Sequence, residues 1–190
     1  MLDRANVRYV LTEKAVDSRV GHPLLLDGST RVLRNDSALP RAYVARAWRA
    51  VHSNAEAAAY MQGPGADDSR VPTIEGAPAD GAGPHELVPV PIQSSVPERV
   101  VIDLSEAPAG WLVLTDSADP GWSATLDGRP AQIHYANGYQ RSVEVAAGSR
   151  KLVLTYRTPG LLAGATASAI GLSIVMLWLL VPAIRRRRRA

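Results

Sequence analysis

The feature that most constrains this chain is its C-terminal end. From Leu161 to Ile184 there is no charged residue, and five consecutive arginines, Arg185, Arg186, Arg187, Arg188 and Arg189, follow. Twenty-four residues at about 1.5 Å per residue span roughly 36 Å, enough to cross a hydrocarbon core of about 30 Å with some tilt. Eleven of them are Leu, Ile or Val. A core helix of this length in a soluble protein would carry a polar face, and this stretch has none. The expectation is a single transmembrane helix over 161–184. Lys and Arg are retained on the cytoplasmic side of a span, which makes 185–190 a basic cytoplasmic tail. Residues 1–158 then lie outside the cell membrane. The tail's expected partner is anionic membrane lipid, at about 1 kcal/mol per arginine near the surface.

The arginines also distort the charge balance. The chain carries 21 basic and 18 acidic residues, but the surplus is the tail. Upstream of it the chain is slightly acidic, so no nucleic-acid partner is expected. There is no cysteine, which excludes disulfides, a thiolate metal site and a thiol nucleophile. His22, His52, His85 and His134 show no ligand spacing, so no metal or other cofactor is expected. Arginine outnumbers lysine 19 to 2 and phenylalanine is absent, a composition typical of GC-rich bacterial genomes. Residues 1–6 contain no apolar stretch of signal-peptide length. An outside location for 1–158 therefore implies that earlier spans, in a longer polytopic protein, carry the domain across.

Before the span the chain reads as mainly β. Short strands are expected at 7–11, at 23–28 with 30–34 returning as a hairpin, and at 39–44. Asn54 is a plausible N-cap for a short helix over 55–61. The Pro- and Gly-rich stretch 63–91 reads as a surface loop with brief extended pieces. Strands follow at 99–104, 111–116, 122–126 and 131–135. Asp127-Gly128 and Asn137-Gly138 are two-residue hairpin signals. Tyr139 to Val145 alternates, with Tyr139, Arg141, Val143 and Val145 on one side. A last strand covers 151–156, and Pro159-Gly160 leads into the span. The sum is an antiparallel sheet or sandwich with one short helix, then one transmembrane helix. Trp111, Trp122, Tyr135, Tyr139 and Tyr156 read as sheet core or cross-strand pairs.

Two groups of residues carry candidate chemistry. Asp116, Asp119 and Asp127 surround Trp122, as carboxylates and an indole would around a sugar ring. The alternative for these aspartates is turn chemistry alone. In the span, Gly160, Gly164, Ser168 and Gly171 leave part of one face without bulky side chains, suited to packing on another transmembrane helix.

Leu2-Asp3, Val7-Arg8-Tyr9-Val10-Leu11, Leu39-Pro40-Arg41-Ala42-Tyr43, Gly110-Trp111-Leu112-Val113-Leu114-Thr115-Asp116, Pro120-Gly121-Trp122, Leu126-Asp127-Gly128, Ala136-Asn137, Ala147-Gly148 and Tyr156 together resemble the C-terminal part of the YfhO family of bacterial membrane proteins. That family looks like the multi-spanning GT-C class of glycosyltransferases, which move sugars from polyprenyl-phosphate carriers to cell-envelope acceptors. The resemblance implies an extracytoplasmic domain and last span whose catalytic carboxylate resides elsewhere, in an early loop. No catalytic residue carries over to this sequence. The implied partners are transmembrane helices of an N-terminal region, or of a separate polytopic protein, and a glycan or polyprenyl-linked sugar. A non-enzymatic, membrane-anchored binding or accessory module is the alternative. A cytoplasm-specific reporter fused after Ala190 is expected to be active in cells, and a silent reporter at normal expression would reverse the topology.

Overall fold

The computed structural model describes residues 2–13, 21–27, 29–63 and 68–187. It divides into two units, one ending at Tyr156 and one beginning at Arg157. The first is a β-structure of fourteen strands and one helix: β1 Tyr9–Thr12, β2 His22–Asp27, β3 Thr30–Arg34, β4 Ala42–Val51, α1 Asn54–Gln62, β5 Thr73–Glu75, β6 Gly81–Pro89, β7 Ile92–Val96, β8 Arg99–Asp103, β9 Gly110–Ser117, β10 Trp122–Leu126, β11 Arg129–Ala131, β12 His134–Ala136, β13 Gln140–Val145 and β14 Lys151–Tyr156. The second unit holds α2, Leu161–Arg187.

The strands form three sheets. A small one runs β1-β3-β2, a five-stranded one β11-β10-β14-β8-β7, and a six-stranded one β5-β12-β13-β9-β4-β6. The six-stranded sheet nearly closes on itself. The last residues of β4, Arg49 to Val51, pair in parallel with β5, and β5 meets β12 at Ile74 and Ala136.

Alternation along β4 and β9 explains the architecture, because successive side chains point to opposite faces. Ala42 and Val44 of β4, with Leu112 and Leu114 of β9, join Val100, Ile102, Leu152 and Leu154 of the five-stranded sheet in one core. Tyr43 and Ala45, with Trp111 and Val113, face the other way and build a second core with Leu39, Ile74, Ala77 and Ala136. Over Ala42–Ala45 and Trp111–Leu114 both faces are therefore covered, and there the strands read as unbroken apolar runs.

The mainly antiparallel β-fold with one short helix and a C-terminal apolar helix agrees with the sequence. Both hairpin signals hold: Asp127 and Gly128 have φ of 51° and 80°, Asn137 and Gly138 of 49° and 80°. These are the left-handed values that a two-residue type I′ turn requires.

Four expectations need correction. The strand expected at 39–44 becomes the ten-residue β4, because tertiary pairing on both edges extends it beyond its local signal. The helix is capped by Ser53, not Asn54: the Ser53 Oγ accepts from the Glu56 backbone N–H, while the Glu56 carboxylate accepts from the His52 N–H, close to a capping box. In stretch 63–91, β5 falls within the extended piece expected near Val71–Glu75, but β6 is a nine-residue edge strand, longer than the brief piece expected near Leu87–Gln93. The single strand expected at 131–135 splits. Its start, β11, pairs with β10 in one sheet, and β12 pairs with β13 in the other.

The aromatic residues divide as well. Trp111 is buried, and Trp122 pairs with Tyr156 across β10 and β14, whereas Tyr135 and Tyr139 are exposed. The alternation at Tyr139–Val145 is broken by a bulge between Gln140 and Arg141, which leaves both of those side chains buried.

In α2 the stretch Leu161–Trp178 has a mean hydropathy of 1.9 and is exposed along its length. Arg188 and Arg189 lie outside the described residues, as do Gly28, Pro64 and Gly65.

Leu112→Ala removes a fully buried side chain between the sheets and is expected to cost about 2–5 kcal/mol. Tyr135→Ala, at an exposed position, is expected to cost about 1 kcal/mol or less. Urea unfolding of the chain in detergent, followed by tryptophan fluorescence, checks both.

Candidate functional site

Strand pairing assembles most of the residues singled out in the sequence. Asp116 lies near the end of β9 and Trp122 opens β10. Tyr156 ends β14 directly opposite Trp122, the two rings tilted at 53° with centroids 5.3 Å apart. Arg141 on β13 pairs with Leu114, two residues before Asp116. Arg41, just before β4, completes the group.

Asp116 is held by two arginines. Its Oδ1 accepts from the Arg41 Nε at 3.0 Å. Its Oδ2 accepts from the Arg41 Nη2 at 2.8 Å and the Arg141 Nη2 at 3.0 Å. The Arg41 contact is a two-point fork, the geometry in which a guanidinium binds a carboxylate most strongly. That hydrogen bond is the main reason why the Arg41 pKa is raised. Arg141 differs in being almost wholly buried, its side chain only 4% exposed. Its Cζ lies 3.9 Å from the Trp122 ring centroid, a cation–π contact in a desolvated setting. Burial lowers the Arg141 pKa; the Asp116 charge opposes that, and the Arg41 charge adds to it. The Arg141 Nε and Nη1 are buried and have no acceptor within the described protein.

The bulge at Gln140/Arg141 sets this arrangement. It shifts the register against β9 just before Arg141, which alternation then places on the inward face with Val143 and Val145, at the end of their row. A guanidinium in that place needs an anion, and Asp116 supplies it.

The other two aspartates behave differently. The Asp119 carboxylate accepts from the Gly121 N–H at 2.8 Å, and its carbonyl accepts from the Trp122 N–H, which fixes the turn before β10. The Tyr156 pKa is raised, through desolvation and then through its hydrogen bond to Asp119 and that group's charge. Asp127 sits at the far end of β10 and accepts from the backbone N–H groups of Arg150 and Lys151 at 2.8–3.2 Å. It ties its hairpin to the neighbouring β14 and does not join the arginine cluster. Among the described residues no group of three or more His, Asp or Glu is placed to hold a metal ion.

Chemically, the cluster of Arg41, Asp116, Arg141, Trp122, Tyr156 and Asp119 is a fixed polar group beside an aromatic pair. The Asp116 carboxylate is occupied by three charge-assisted bonds, and that of Asp119 by its turn. The arrangement suits recognition of oxygen-rich groups better than acid–base chemistry, which needs a carboxylate free to exchange protons. Sequence reasoning missed both arginines. The signal for Arg141 was present, as a charge set in an otherwise apolar alternating row.

Residues 91–168 match the family model described as bacterial membrane protein YfhO. That stretch runs from β7 through β14 into the first eight residues of α2. No curated protein matches the chain. Among solved structures it is similar to the arabinofuranosyltransferase AftD from Mycobacteria, at 25% identity and a TM-score of 0.33 over 40% of this chain and 6% of that one. A class 2 structure of an arginine-to-serine mutant of that enzyme gives 24% identity and a TM-score of 0.35, over 41% and 7%. The chain thus covers only a small fraction of the length of those proteins.

Asp116→Ala leaves Arg141 buried without a counter-ion and is expected to destabilise the fold by about 3 kcal/mol. Arg41→Ala, removing a half-exposed partner, should cost about 1 kcal/mol or less. Equal losses in thermal or urea unfolding would show that Arg141 does not depend on Asp116.

Proposed function

We propose that this chain is the extracytoplasmic β-domain and last span of a membrane glycosyltransferase-like protein acting on polyprenyl-phosphate-linked sugars for cell-envelope glycosylation. In this reading the chain supplies no catalytic group. Its β-domain shapes or covers the acceptor side of a site built by other spans. The observation that carries the proposal is the extent of the family match, which continues without interruption from the strands into the apolar helix. The strands β7 to β14 and the start of the helix thus share one match, which supports a domain held at the outer surface beside its partner spans.

Two further features support it. Asp116 and Asp119 are committed to arginines and to a turn, which leaves recognition as the role of the cluster around Trp122. The α2 surface is exposed along Leu161–Trp178, and its small residues Gly164, Ser168 and Gly171, with Gly160 just before it, allow a neighbouring helix to approach closely. In lipid such approach is a principal source of packing energy. On this reading the basic tail lies inside, at the anionic leaflet.

The test is transfer. The purified chain in detergent, given a polyprenyl-phosphate sugar and envelope acceptors, is expected to transfer none. Transfer that disappears in Asp119→Ala, with the fold intact, would place a catalytic site at the β9–β10 turn and overturn the accessory role.

A further inference from the structure

A second concave site lies apart from the arginine cluster, where the six-stranded sheet is interrupted. Along β4 the pairing with β6 advances two residues, from Ala45 to Ala47. Over the same step β6 advances five, from Leu87 to Ala82. The surplus residues of β6 include Pro84, which has no N–H to give to the ladder. Bulges of this kind open a sheet locally and redirect side chains.

Glycines on both neighbours of β4 face this break. A Cβ at Gly83 would stand 2.3 Å from the Arg46 carbonyl oxygen, and one at Gly110 would stand 2.3 Å from that of Ala45. No other residue fits either place, so bare backbone forms part of the wall. The result is a cavity of about 350 Å3 lined by Arg46, Trp48, Gly83, Gly110, Trp111 and Glu144, among others. Its volume falls in the range of roughly 300–1,000 Å3 usual for small-ligand sites.

The lining is chemically specific. Trp48 and Trp111 meet edge to face, with centroids 6.3 Å apart. The Trp48 Nε1 donates to the Ala79 carbonyl at 2.9 Å, and the Trp111 ring is held on its other side by His134 at 4.9 Å. Both indoles are thus fixed. Glu144 lies directly across the strand pair from Trp111, where side chains share a face. Glu144 and Arg46 are exposed, and among the described residues neither side chain makes a hydrogen bond or ion pair. Trp111 is buried behind it, so the cavity presents a free carboxylate acceptor, a free guanidinium donor and the fixed, partly exposed indole of Trp48.

We infer that this cavity binds a neutral sugar residue, the carboxylate of Glu144 accepting from vicinal hydroxyls and Arg46 donating to ring or hydroxyl oxygens. A sugar offers alternating donors and acceptors on its rim and C–H groups on its faces. It uses both charges without carrying any, and it needs an aromatic wall for its apolar face. A bare anion would be repelled by Glu144, and a bare cation by Arg46. The inference rests on the cavity. It adds to the proposed function a place where the glycan is held, away from Trp122.

The source of the sugar, a free glycan or a lipid-linked one, is separated by the probes. The full chain in detergent is titrated with maltotriose, mannotriose, galactotriose and arabinotriose, and in parallel with a polyprenyl-phosphate sugar, following tryptophan fluorescence and calorimetric heat. At least one probe is expected to bind, and Glu144→Gln and Arg46→Gln are each expected to weaken it about tenfold or more. Both residues are exposed, so unchanged unfolding midpoints will show that the fold is kept. Binding of the lipid-linked probe alone, lost in Glu144→Gln, assigns the lipid-linked source. No binding by any probe, binding that both variants retain, or competition by inorganic phosphate would each overturn the sugar site. None of these results bears on the transfer assay, so the two readings fail separately.

Discussion

The constraint on which the rest depends is the burial of both faces of β4 and β9. A sheet covered on one side can leave polar residues on the other; Ala42–Ala45 of β4 and Trp111–Leu114 of β9 cannot. Leu112 and Leu114 need the five-stranded sheet, and Trp111 and Val113 need β5, β12 and the chain around Leu39 and Ala77. The six-stranded sheet therefore curls until β5 reaches the end of β4. Short elements such as β5 and β12, with three residues each, have little stability alone and are held because they close the second core. A buried polar network fills the remaining space. Asn137 bonds the Thr73 N–H and Gln140, and Gln140 bonds the Arg4 carbonyl, tying the N-terminal segment to a turn more than 130 positions later.

Much of this was legible, for local reasons. Asp127-Gly128 and Asn137-Gly138 announce their hairpins because few other pairs tolerate two left-handed residues. The final helix announces itself by length and by the absence of charge. What could not be read is non-local. The full length of β4 comes from partners on both sides, and the switch of sheets between β11 and β12 has no sequence signal. At the candidate site, Asp116 and Trp122 stand out by type and spacing. Arg41 is 75 residues from Asp116, and only the β4–β9 pairing unites them.

The two concave or polar places on the β-unit share an origin. Each lies at a register fault, one at Gln140/Arg141 and the other at Ala45/Ala47. A regular ladder presents alternating side chains and a filled surface. A fault brings an inward charge in one case and leaves a hollow in the other. The chemistry of this domain is concentrated where the sheet departs from its own period.

Several prolines share a role at the sheet edges. Pro130 lies in β11 and Pro84 and Pro89 in β6; Pro91 and Pro97 flank β7, and Pro23 lies in β2. Each of these strands ends a row of its sheet. A proline there withholds the donor that an incoming strand would need. On a membrane, neighbouring copies diffuse in two dimensions at high local density, and an open edge would join them into ribbons. A proline-bearing edge works against that joining.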